Sequence, residues 1–151
     1  MVHERAQARR IALQGLYQLD VQGEEFLSGS TVAATGGGLQ GFIDQATEDP
    51  RIREIAYFMV KSAWAFKPTM DTWLNRLAPK WPVHRMAVVD RNILRLCAWE
   101  IINYPQTPAK IVLDEAINMG KEFSTADSGN FINGILDALL REHLTQTGKT
   151  L

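Results

Sequence analysis

The chain has 151 residues, of which 46% are hydrophobic, enough for one domain with a sizeable core. Its 16 basic and 17 acidic residues give a formal net charge of −1. This near balance argues against non-specific coating of nucleic acid, which depends on a large positive excess. Any nucleic-acid site in this protein must therefore be local.

The sequence carries no sign of export or of a membrane anchor. Cys97 is the one cysteine, which excludes an intramolecular disulfide. The N-terminus is charged and then amphipathic, without the apolar stretch of a signal peptide. No segment approaches the roughly 18 uncharged apolar residues that a membrane span needs. We expect a soluble cytoplasmic protein.

The first predicted helix covers residues 4–21, where Ala8, Ala12, Leu16 and Leu19 recur every three or four positions. Residues 22–48 differ sharply, because they hold six of the eleven glycines. Such a run loses much backbone entropy on folding, so we expect a mobile Gly-rich insertion there, with a short helix around Leu39–Gln45 as an alternative.

The following segments alternate helical periodicity with breaks. Asp49-Pro50 supplies an N-cap and a first-turn proline for a helix that Pro68 ends. A short helix is expected from Thr69 to Ala78, and the Pro79–Pro82 segment breaks it. Amphipathic stretches then cover residues 84–103, 111–123 and, after a cap at Asp127 or Ser128, the segment up to about Leu140.

No segment shows the period-two alternation of a strand, so the pattern predicts an all-α helical bundle. Seven residues with helical spacing are expected to be largely buried: Ile55, Met59, Leu94, Leu96, Ile117, Ile132 and Leu136.

Catalytic, cofactor and metal sites are not indicated by the sequence. Cys97 lies on an apolar helix stripe, which is typical of a small buried side chain. His3, His84 and His143 lie in separate elements and form no metal-ligand pair, and no P-loop or GxGxxG motif is present. We expect a protein that is not an enzyme and that binds no cofactor and no metal.

The N-terminal segment presents a cluster of polar and aromatic side chains, namely Arg5, Arg9, Arg10, Gln14 and Tyr17. Guanidinium groups suit phosphates, while amides and aromatic rings suit unstacked bases of single-stranded RNA. From these residues alone, an ordinary solvated helix face is the stronger interpretation.

Three stretches change that balance, because they occur in the order of a known family pattern: ARRIALQGLYQLD at 8–20, MAVVDRNILRLCAWEI at 86–101 and PAKIVLDEAINMGKEFSTADSGNFINGILDAL at 108–139. Together they resemble the sequence pattern of the NusB family of transcription antitermination factors. The resemblance covers roughly 60 residues directly, and the helices between them fit it as well.

The resemblance implies a compact bundle of about six to seven helices in two packed subdomains. It also implies a non-catalytic adaptor in transcription antitermination and ribosomal-RNA synthesis. Such an adaptor binds boxA-type single-stranded RNA together with ribosomal protein NusE, alongside transcribing RNA polymerase and other Nus factors.

Carried over by position, the family's RNA contacts comprise the N-terminal group and a second group near the last turn. They are Arg5, Arg9, Arg10, Gln14, Tyr17, Lys121, Phe123, Asp127, Ser128 and Phe131. The partner-binding position is Asp90, expected as a rim contact, with Arg91 beside it.

This sequence departs from the family pattern at several positions. Trp99 replaces a usual Tyr, Asp114 an Asn and Ser124 a Gly, while Asn130 stands where a basic residue is common. The family pattern gives no counterpart for residues 22–48. Asn133 and Gly134 fall inside the last helix, where both lower helix propensity, and we expect close helix packing at Gly134.

Two alternatives remain open at this point. The chain could be a helical protein–protein adaptor or a homodimer in which the RNA face is occluded. A detached NusB-like domain of an RNA cytosine methyltransferase is disfavoured, because 151 residues leave no room for a Rossmann-type catalytic domain.

Overall fold

The computed structural model describes residues 2–29 and 37–147, which form α-helices, a short 3₁₀ helix and connecting turns. No strand occurs in these ranges, so the all-α prediction is confirmed for them. None of the helices in the same ranges is long and apolar enough to cross a membrane. The chain divides into two compact units, one up to Trp64 and one from Ala65 onward.

The helices are α1 (Val2–Gln22), α2 (Glu25–Ser28), α3 (Gly38–Ala46), α4 (Pro50–Ala65), α5 (Lys67–Leu77), α6 (Val88–Asn103), α7 (Ala109–Phe123) and α8 (Ser128–Thr147), with the 3₁₀ helix at Val83–Arg85. Asp49 begins α4 as predicted, since its carboxylate accepts the Arg51 backbone N–H at 2.9 Å.

In the first unit, α1 meets α3 and α4 around Gly15. A Cβ atom built at Gly15 would lie 3.1 Å from both Leu39 and Val60, so the absence of a side chain permits this close approach. Leu16, Leu39 and Met59 are fully buried in the same core. The spacing that predicted α1 and α4 therefore places their apolar faces inward.

The Gly-rich segment holds more structure than the sequence predicted. The predicted mobile insertion over 22–48 contains two helices, α2 and α3, and the short helix considered at Leu39–Gln45 lies within α3. Phe26 and Phe42 pack edge to face with ring centroids 6.3 Å apart. Residues 30–36 of this segment lie outside the described residues.

Two glycines allow α2 and α3 to come together. Gly29 and Gly38 both have positive φ, at 66° and 65°. A Cβ at Gly38 would lie 2.4 Å from the Phe26 carbonyl oxygen. Glycine is therefore needed here for a tight backbone contact rather than for flexibility.

In the second unit, α6 is the most buried helix and α5, α7 and α8 pack around it. A buried ion pair joins α5 to α6: the Arg95 guanidinium, 5% exposed, donates to both Asp71 carboxylate oxygens at 2.8 and 2.9 Å. Cys97 is fully buried on the same helix, as predicted for a small apolar side chain.

The close approach of α7 and α8 occurs at Gly120, and the prediction of close packing at Gly134 is wrong. A Cβ at Gly120 would lie 3.0 Å from the Ile132 side chain, whereas one at Gly134 would meet nothing within 4 Å. Asn133 is also exposed. The sequence showed that α8 contains costly residues, but not which helix face they occupy.

Candidate nucleic-acid interface

The predicted binding residues fall into two groups, one in each unit. Within the first unit, α1 presents Gln14 and Tyr17 on its exposed face, with Tyr17 38% exposed. Arg5 and Arg10 are half-buried, and the Arg10 guanidinium donates to the Ala6 carbonyl at 3.3 Å. Gln14 and Tyr17 therefore offer an amide and an aromatic ring on the exposed face of α1, whereas Arg5 and Arg10 are partly accessible and the Nη2 atom of Arg5 is buried.

Arg9 is buried, although the sequence placed it in the predicted N-terminal group of RNA contacts. Its side chain is 2% exposed, next in sequence to the fully buried Ala8. One residue turns a helix by 100°, so adjacent arginines at 9 and 10 face different environments. A phosphate cannot reach a guanidinium that is buried in this way, and Arg9 is removed from the candidate contacts of the folded chain.

In the second unit, the turn between α7 and α8 is organised by the buried hydroxyl of Ser128. Its Oγ lies 3.1 Å from Asp90 Oδ2, 2.9 Å from Ser124 Oγ and 3.0 Å from Thr125 Oγ1. It also accepts the Thr125 backbone N–H at 3.3 Å. Because the carboxylate is the strongest acceptor nearby, we conclude that the Ser128 hydroxyl donates its hydrogen bond to Asp90. Ser128, 3% exposed, therefore fixes the turn from inside.

Asp90 is not the rim contact that the sequence predicted. It is 9% exposed, and its Oδ1 atom is buried without a hydrogen-bond partner among the described residues. Arg91, beside it, is half-buried. Asp90 therefore lies under the surface at the beginning of α6, where it receives the hydrogen bond from Ser128.

A groove of about 360 Å³ opens at this turn, and we call it the turn groove. Its lining consists of Trp81, Asp90, Thr125, Asp127, Ser128 and Phe131. It thus brings together four residues that the sequence placed in the RNA or partner sets. Trp81 was missed, although a tryptophan that is 53% exposed is an unusual surface residue.

The remaining predicted residues of this group lie on the two helices beside the turn. Lys121 is exposed near the end of α7, and Phe123 is half-buried. A Cβ at Gly129 would lie 3.6 Å from Lys121 Cε, so the lysine stem runs along the small surface of Gly129. The Lys121 ammonium group is therefore presented beside the turn.

A second groove, of about 470 Å³, lies in the first unit. It is lined by Gln40, Arg53, Glu54, Tyr57, Phe58 and Lys61, none of which was predicted as a site residue. Arg53 is occupied there, since it donates to the carbonyls of Thr47 and Asp44 at 2.6 and 2.8 Å. Within residues 2–29 and 37–147, no cluster of three or more side chains could hold a metal ion.

Helical units that expose aromatic, amide and cationic side chains beside grooves have the composition of a helical recognition protein. The NusB family model matches residues 6–141. The transcription antitermination protein NusB of Symbiobacterium thermophilum is 36% identical over 137 residues, covering 91% of this chain and 89% of that protein. The counterpart from Desulforapulum autotrophicum is 37% identical and covers 90% of each chain. The chain belongs to the NusB family.

Solved structures agree with this assignment. The structure of T. maritima NusB has a TM-score of 0.76 and 27% identity, and it covers 92% of each chain. A crystal structure of antitermination factors NusB and NusE in complex with double-stranded RNA has a TM-score of 0.77, with 94% of this chain and 99% of that chain covered. Its identity is 22%, so it supports the fold alone.

Proposed function

We propose that this protein is a non-catalytic RNA-binding adaptor of transcription antitermination and ribosomal-RNA synthesis. In this proposal it binds boxA-type single-stranded RNA together with ribosomal protein NusE, within the complex of RNA polymerase and other Nus factors. The site of action is the bacterial cytoplasm, where transcription takes place.

Family membership supports the class of function. The relatives named as antitermination proteins match this chain over 89 to 90% of their own length. The match is therefore not to one domain of a larger enzyme, which disfavours the detached methyltransferase domain. It also favours an adaptor role over catalysis.

The turn groove is the observation that carries the RNA-binding proposal. Phe131 offers an aromatic surface in the groove, and Lys121 offers a cation beside the turn. Stacking on exposed bases and neutralisation of phosphates by placed cations are the two contributions that single-stranded binding requires. Since the net charge is −1, affinity depends on these placed groups rather than on an overall field.

Asp90 has an indirect role in this proposal. Because it lies beneath the turn and is hydrogen-bonded to Ser128, it positions the turn instead of meeting the partner at the rim. We assign direct contact with NusE to the neighbouring surface, including Arg91.

The proposal is tested by measuring the affinity for a boxA-type single-stranded RNA with and without NusE. Replacing Phe131 by Ala is expected to cost about 1–3 kcal/mol if the ring stacks on a base. The matched control is Phe58→Ala, which removes another exposed ring, 52% exposed, in the first unit. RNA binding that is absent from the parent protein in both conditions would contradict the proposal.

Charge contacts are separated from stacking by the salt dependence. If Arg5 and Arg10 each neutralise one phosphate, replacing both by Gln flattens the log–log salt slope by about 1.4. The control is Lys110→Gln with Arg141→Gln, which makes the same change in net charge on exposed positions. Equal slopes for both double variants would assign α1 to a solvated face. Sedimentation of the parent would then test the homodimer.

A further inference from the structure

The segment between α5 and α6 exposes side chains that are not among the RNA contacts carried over from the family. It contains Lys80, Trp81, His84 and Arg85, all of which are exposed. Among the residues that the structure describes, Lys80 and Arg85 are cations that take part in no ion pair or side-chain hydrogen bond. An exposed tryptophan among unpaired cations is the combination that single-stranded nucleic acid recognises.

The segment is anchored to the second unit at two buried positions. Val83 and Met86 are each 3% exposed and anchor it in the core of the second unit. The side-chain oxygen of Asn75 accepts the Val83 backbone N–H at 2.7 Å, and the Pro82 carbonyl accepts the N–H of Arg85 at 2.9 Å. With these residues turned inward, the cations and Trp81 are presented to solvent on an ordered support.

Trp81 also lines the turn groove together with Phe131. The lining includes two carboxylates and no cation, so a phosphate is repelled from the groove and a base is the part of RNA that fits there. Lys80 and Arg85 are not part of this lining, and both lie on the same short segment as Trp81.

We propose that residues 79–85 form a second RNA contact of this unit. Trp81 stacks on an unpaired base in the turn groove, and Lys80 and Arg85 hold phosphates beside it. This inference rests on the proposed function and extends it to a segment that sequence reasoning did not select. It commits to single-stranded RNA as the occupant, because the groove is continuous with the proposed RNA surface at Phe131.

The test compares Trp81→Ala and Trp81→Phe for affinity to a boxA-type single-stranded RNA. Loss of the ring is expected to weaken binding about 5- to 150-fold, while the phenylalanine retains most of the affinity because it still offers a stacking face. Circular dichroism is expected to show the same helical content in both variants, because Trp81 is half exposed and its anchoring neighbours are unchanged.

The charge part is tested by Lys80→Gln with Arg85→Gln, which should flatten the log–log salt slope by about 1.4. The control is again Lys110→Gln with Arg141→Gln. These two positions lie about 20 Å along α7 and α8 from the turn, given a rise of about 1.5 Å per residue. The control pair should leave the slope unchanged.

The two proposals fail in different ways. If the parent binds RNA and Trp81→Ala binds equally well, the second contact is overturned and the adaptor function stands. Weakened binding to NusE with unchanged RNA affinity also overturns it, since the groove would then receive a protein. If the parent itself binds no RNA, the proposed function fails.

Discussion

The two candidate surfaces are held in place in different ways. On α1, exposure is decided by helix phase alone, so Arg10 is half-buried while Arg9 is 2% exposed. At the turn between α7 and α8, a buried hydroxyl connects Ser124, Thr125 and Asp90. On α1, a shift of one position therefore decides whether a side chain is exposed. The turn depends instead on one hydroxyl that hydrogen-bonds to several residues.

The largest effect on stability is expected from replacing the buried Arg9. Arg9→Ala is expected to lower the free energy of unfolding by about 2–5 kcal/mol, the range for truncating a large buried side chain. Arg10→Ala should cost less than Arg9→Ala, since the Arg10 side chain is half-buried instead of buried. Chemical denaturation measures both, and equal stabilities for the two variants would return Arg9 to the exposed face.

Serine 128 tests whether the turn depends on its hydroxyl. Ser128→Ala leaves the Asp90 carboxylate without the hydrogen bond from this hydroxyl, and we expect a loss of about 1–3 kcal/mol. Ser124→Ala is the control, because it keeps the contact between Ser128 and Asp90. A larger loss for the control in urea unfolding would place the centre of the turn elsewhere.

Two glycines sharpen the contrast between packed and exposed helix faces. Gly134→Ala should stabilise the protein by about 0.5–1 kcal/mol, because its Cβ enters open space and helix propensity improves. Gly120→Ala should destabilise it by about 1 kcal/mol, because its Cβ presses on Ile132. Thermal unfolding of both variants gives the signs, and two changes of the same sign would refute this assignment.

The smallest expected effect concerns an exposed ion pair between α5 and α8. Arg76 Nη1 donates to Glu142 Oε2 at 3.0 Å, and this hydrogen bond lowers the pKa of Glu142 below its ordinary value of 4.5. Because the pKa of Glu142 is lower in the folded state, the pair adds stability at pH values above the pKa of the unfolded state. This contribution is lost as the pH falls through the pKa of the folded state. Because the pair is exposed, the effect is small and screened by salt.

This contribution is measured by comparing Glu142→Gln with the parent in thermal unfolding at low and high salt. The parent should lose more stability than the variant as the pH falls below about 4.5. Identical pH profiles would show that the pair contributes nothing.

The sequence predicted the fold well where helical periodicity was strong. Of the seven predicted core residues, Met59, Leu94, Leu96, Ile132 and Leu136 are fully buried, while Ile55 and Ile117 are half-buried. The helices α2 and α3 were underestimated, because six glycines indicate entropy loss but do not reveal a backbone contact such as that at Gly38.

The candidate site was predicted in composition more than in geometry. Asp127, Ser128 and Phe131 were selected through the family resemblance, and they do share one groove. Burial of Asp90 beside Ser128 and exposure of Trp81 are tertiary features that periodicity cannot show. An aromatic residue between prolines and cations in the sequence is the signal that could have drawn attention to Trp81.

The most direct test of the account is amide hydrogen exchange of the parent with and without boxA-type RNA, in the presence of NusE. New protection is expected in residues 121–131 and in the early turns of α1. Little change is expected around Gln40 and Tyr57 in the other groove. Protection confined to that groove, with none at residues 121–131, would contradict the claim that the turn between α7 and α8 is the RNA-binding surface.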